Sequence, residues 1–96
     1  MQKPTVKIPY TNMPKDEGEI ISVYLWREHR DLVIKFKKLG ESYNPEDESD
    51  EQVQVGVDIM NERVQVGLRI IDFLKKTGRE IHGDSNDLGG DIYKYL

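Results

Sequence analysis

The chain has no cysteine and no alanine among its 96 residues. The first absence excludes disulfides and thiol chemistry, and it fits a cytoplasmic location. The second removes the strongest helix former, so any helix must rest on packing rather than on intrinsic propensity. No run approaches the roughly 20 apolar residues of a membrane span. The opening MQKPTVKIPY holds two prolines and lacks the apolar run of a secretory signal. One soluble cytoplasmic domain without a membrane segment is therefore expected.

Chemistry-bearing groups are equally sparse. His29 and His82 are the only histidines, and without thiols they show no ligand spacing, so no metal is expected. Asp84, Asn86, Asp87 and Asp91 superficially follow a calcium loop, but Leu88 stands at the fifth ligand position and Tyr95 where a bidentate Glu belongs. No phosphate-binding glycine pattern, nucleophile motif or catalytic carboxylate pair occurs. The expectation is a non-enzymatic protein with no cofactor and no small-molecule substrate.

What is present is unevenly distributed charge. The net charge is −4, yet residues 1–40 carry a net +3 and residues 53–83 a net +1. The acidity comes from ESYNPEDESDEQ at 41–52, with six acids and no base, and from a net −2 over 84–96. The bulk of the chain is mildly basic, which keeps nucleic acid among the partners to be considered.

The pattern along the chain predicts an α+β fold, a small antiparallel sheet packed on one long C-terminal helix. Residues 1–18 form an N-terminal arm broken by Pro4, Pro9 and Pro14, in which Val6, Ile8 and Tyr10 alternate as a short edge strand. Over residues 19–40 a single continuous helix would scatter Ile20, Leu25, Trp26, Val33 and Ile34 around its circumference. The β-branched and aromatic content instead points to a β-hairpin of strands 19–26 and 32–39. An acidic loop at 41–49 follows, and Ser49 with Gln52 has the form of a capping box for a helix over 50–77. A polar, glycine-rich linker and tail occupy 78–96, with IYKYL as an edge strand or docked terminus.

The strongest signal is the tetrapeptide VQVG at 53–56 and again at 64–67, eleven residues apart. Eleven residues fill three helical turns at about 3.67 per turn. On that wheel Gln54, Asp58, Asn61, Glu62, Gln65, Arg69, Asp72 and Lys76 share a polar arc. The apolar residues form two stripes: Val53, Val57, Met60, Val64, Leu68, Ile71 and Leu74 in one, and Val55, Ile59, Val66, Ile70 and Phe73 in the other. Gly56 and Gly67 lie between them. The same residues also alternate at period two, and a second hairpin turning at MNER before a short helix IIDFLKKTG competes; the clean polar arc and the capping box favour the long helix.

So wide an apolar arc exceeds the roughly 100° that a surface helix needs. It predicts a partner, most simply a second copy of the chain. The predicted dimer interface is Val55, Gly56, Ile59, Val66, Gly67, Ile70 and Phe73, with the glycines admitting a neighbouring backbone. On the hairpin, Tyr24, Trp26 and Phe36 lie beside Arg27, Arg30, Lys35, Lys37 and Lys38, the composition of a surface that stacks bases and tracks phosphates. The sequence thus suggests a small dimeric binder of single-stranded DNA or RNA. The alternative is an accessory module with no nucleic-acid role, docking its second apolar stripe on a different protein.

Overall fold

The computed structural model describes residues 13–96, and among these it contains helices and no strand. Helix α1 runs over Lys15–Glu28, α2 over Arg30–Ser42, α3 over Asp50–Lys76 and α4 over Ser85–Ile92, followed by a 3₁₀ turn at Tyr93–Tyr95. The expected α+β architecture is therefore replaced by an all-α arrangement. The edge strand expected at Val6, Ile8 and Tyr10 lies outside the described residues.

The predicted hairpin at 19–40 is two helices meeting at His29, whose φ of −137° and ψ of 43° leave the helical region. Its N–H bonds the Leu25 carbonyl at 2.8 Å while its own carbonyl accepts from the Val33 N–H at 3.1 Å, so one residue closes α1 and opens α2. The buried face of α1 is Gly18, Ile21, Ser22 and Leu25, the i, i+3, i+4, i+7 set of a helix. Two of those four are not hydrophobic, and Ile20 and Val23 stay exposed, so a wheel that scores apolar residues alone sees scatter. In α2 the buried pair is Val33 and Phe36, three apart; the alternation through Ile34, Lys35, Phe36 and Lys37 is incidental. Packing overrides β-propensity in both segments.

Of the two arrangements open to the VQVG repeats, the structure contains the long helix. Ser49 caps α3 by accepting from the Gln52 N–H at 3.3 Å. Gln52 does not return the bond. Its amide accepts from the Asn44 N–H at 2.8 Å and donates to the Ser42 carbonyl at 3.3 Å, pinning the acidic loop to the helix start. At the far end Gly78, with φ +69°, receives the chain in a left-handed turn. Its N–H bonds Lys75 and the Arg79 N–H bonds Leu74, the paired bonds of a Schellman motif.

Residues 78–96 are not a linker. Asp84 and Asp87 form a reciprocal capping box, with the Asp87 N–H on Asp84 at 2.9 Å and the Asp84 N–H on Asp87 at 3.3 Å, and this starts α4. Leu88 and Ile92 of α4 are fully buried, as are Ile21, Leu25, Val33, Val66, Ile70 and Leu74. The terminal IYKYL docks by its rings: Tyr93 lies edge-on to Phe36 at 5.3 Å, and the Tyr95 hydroxyl donates to the Met13 carbonyl. The core thus sits over the C-terminal half of α3, packed chiefly by α4 and α2. At about 1.5 Å per residue α3 is about 40 Å long, which only the longest of the 47 × 33 × 19 Å extents accommodates.

Candidate interaction surface

The two stripes of α3 meet opposite fates. Val66 and Ile70 are fully buried within the chain, while Val55, Ile59 and Phe73 are half-buried. Phe73 stacks on Tyr24, with ring centroids 4.4 Å apart and planes 25° from parallel. The other stripe is left open over most of its length: Val53 is 57% exposed, Val57 46%, Met60 62% and Leu68 43%, with Val64 and Ile71 half-buried between and beyond them. Only its last member, Leu74, turns into the core. These residues follow one another along a nearly straight line on the helix, because their 3- and 4-residue steps sum to the eleven-residue repeat.

The seven residues predicted for the dimer interface are therefore drawn mostly from the stripe that the chain uses itself. The close backbone approach anticipated at the repeat glycines is real at one of them but lies inside the molecule. A Cβ on Gly67 would overlap the Ser85 carbonyl of α4, and reciprocally a Cβ on Gly89 of α4 would overlap the Arg63 carbonyl of α3. Gly56 has no such neighbour; its face is covered by the Tyr43 ring, whose Cε1 would lie 3.2 Å from an added Cβ. The signal that could have separated the stripes is the second glycine cluster at Gly89 and Gly90, which marks a helix able to cross Gly67 closely.

The residues predicted to contact nucleic acid are dispersed. Phe36 is in the core. Tyr24 packs on Phe73, and its hydroxyl shares a 2.9 Å hydrogen bond with Nε2 of His29. Trp26 is half-buried, with the Arg30 guanidinium 5.9 Å from its ring centroid. Lys35 pairs with Glu62 at 3.2 Å, and Lys37 lies 5.6 Å from the Tyr93 ring centroid. Arg27 and Lys38 remain exposed. No continuous row of exposed aromatics between cations survives, because that row required two strands.

At the α1–α2 corner a polar cleft of about 580 Å³ is lined by Arg27, Glu28, His29, Arg30, Asp31, Leu32, Glu62, Gln65 and Arg69. Arg69 is a cleft residue that sequence reasoning placed only on the polar arc of α3. Burial lowers the His29 pKa from its usual 6.5, and the Arg69 guanidinium adds to the effect. Burial likewise raises the Tyr24 phenol, with the Asp72 carboxylate adding to it. Among the described residues no group of three or more His, Asp or Glu is placed to hold a metal ion, and no helix is long and apolar enough to cross a membrane. Comparisons with known protein families, with curated proteins and with solved structures gave no match.

Proposed function

We propose that this chain is a small, cytoplasmic, non-enzymatic interaction module that works by laying the open stripe of α3 against another helix. One observation carries this reading: Val53, Val57, Met60 and Leu68 stay between 43% and 62% exposed on a helix whose other stripe is fully buried at Val66 and Ile70 and half-buried at Val55, Ile59 and Phe73. A row of apolar side chains several turns long exceeds the scattered exposure normal to a monomer surface. Helix-on-helix docking buries such a row without leaving backbone groups unsatisfied. The triple variant Val57→Glu/Met60→Glu/Leu68→Glu tests it. Circular dichroism should stay helical, while apolar-dye binding and association measured by light scattering both fall. A wild-type chain that shows neither association nor dye binding would overturn the reading.

A single-strand nucleic-acid role is the second reading, and it now rests on the cleft alone. Among the described residues neither Arg27 nor Arg69 is ion-paired, and with Arg30 they offer three guanidinium groups to a phosphate. Glu28, Asp31 and Glu62 offset them at the same rim, which places this reading second. Titration with fluorescent single-stranded DNA and RNA at two salt concentrations decides it; absent or salt-insensitive binding removes it.

A further inference from the structure

The open stripe ends in opposite charges. Asp50 precedes Val53 at its N-terminal end, and Lys75 follows Ile71 at its C-terminal end, each continuing the same line on the helix. Glu46, Asp47, Glu48 and Glu51 lie within about four residues of Asp50 along the chain, and Lys76 and Arg79 within about four of Lys75. Lys76 is taken by Asp72 at 3.1 Å. Among the described residues neither Asp50 nor Lys75 has an ion-pair partner. The stripe is thus a self-complementary object: acidic at one end, apolar through the middle, basic at the other.

We infer that the occupant of this stripe is a second copy of the chain, with the two α3 helices antiparallel about a two-fold axis near residue 62. This rests on the docking role proposed above and names its partner. In that register Val57 meets the partner's Leu68, Met60 meets the partner's Val64, and Asp50 meets the partner's Lys75. A parallel pair would set the acidic ends against each other, which is repulsive. The two-fold makes every contact occur twice, so each modest charge pair is doubled. An eleven-residue spacing keeps the seam nearly straight with a slight right-handed drift, so two such helices stay in contact over many turns.

The absence of cysteine makes the test direct. Sedimentation of the full chain at about 100 μM, a concentration that reveals micromolar affinities, should give twice the 11.2 kDa monomer mass. Val57→Cys and Leu68→Cys chains, mixed and oxidised, should cross-link much faster together than either does alone. Asp50→Lys and Lys75→Glu should each weaken the dimer about three- to tenfold at low salt. The double variant Asp50→Lys/Lys75→Glu should recover it, which also separates pairing from any loss of helix stability at the Asp50 end. A dimer in which Val57→Cys cross-links fastest to itself overturns the antiparallel register. A monomer overturns self-pairing altogether. If that monomer still binds an apolar dye in a way the triple glutamate variant abolishes, the docking role stands with a different partner; if it does not, both fall.

Discussion

Gly67 of α3 and Ser85 of α4 meet backbone to backbone, closely enough that a Cβ on Gly67 would overlap the Ser85 carbonyl. The repeat that places Gly67 also places Gly56, yet only the Tyr43 side chain faces Gly56. Two identical tetrapeptides thus carry different loads.

Gly67→Ala should consequently destabilise the chain by roughly 1–3 kcal/mol, since overpacking against backbone outweighs the better helix propensity of alanine. Gly56→Ala should be neutral or stabilising by up to about 1 kcal/mol, because the Tyr43 ring can move aside. Urea denaturation of the two variants measures the contrast, and equal effects would contradict the crossing geometry.

The α4 capping box predicts a second asymmetry. Asp84→Ala should cost about 1 kcal/mol, and because α4 carries the buried Leu88 and Ile92 the loss should appear in global stability. Ser49→Ala at the start of α3 should cost less. There the cap bond is 3.3 Å long against 2.9 Å at Asp84, no reciprocal bond accompanies it, and Gln52 remains tied to the loop by its own two bonds.

His29 makes stability depend on pH. Its folded-state pKa lies below the ordinary 6.5, lowered first by burial and then by Arg69. The unfolded chain therefore binds the proton more readily, and stability falls as pH drops from 6.5 through the lowered value. Urea midpoints measured from about pH 7.5 down to about pH 5.5 should decline for the parent and decline less for His29→Asn. Parallel curves would show that the imidazole titrates as in water.

Asp91 should give the opposite slope. Burial raises its pKa above 3.8, with Asp87 adding to the effect while Lys94 and Arg63 oppose it, and its Oδ2 is buried without a hydrogen-bond partner among the described residues. Folding then favours the protonated acid, so stability drops as pH rises through the window above 3.8 and stays lower at neutrality. The residue also sits near the C-terminus of α4, where negative charge is unfavourable. Asp91→Asn should raise the thermal midpoint by a few degrees at neutral pH, with the gain vanishing below the ordinary carboxylate range. A gain that persists in acid would point to packing instead of charge.

The sequence by itself favoured α3 over the competing hairpin, because its eleven-residue period, its Ser49 and Gly78 ends, its polar arc and its two apolar stripes are all local, periodic properties of one uninterrupted helix. It did not determine which stripe is open, because both are equally apolar and only the crossing of α4 at Gly67 selects one. Nor did it reveal α1 and α2. The buried face of α1 recruits Gly18 and Ser22 while leaving Ile20 and Val23 in solvent, a choice made by what packs against it and not by hydrophobicity, and α2 buries only Val33 and Phe36. In α4, Gly89 and Gly90 read as a flexible linker until a neighbouring helix supplies the close contact that requires them. Tertiary structure decided whatever depended on a second element being near, since small and β-branched residues acquire their preference from neighbours rather than from their own backbone.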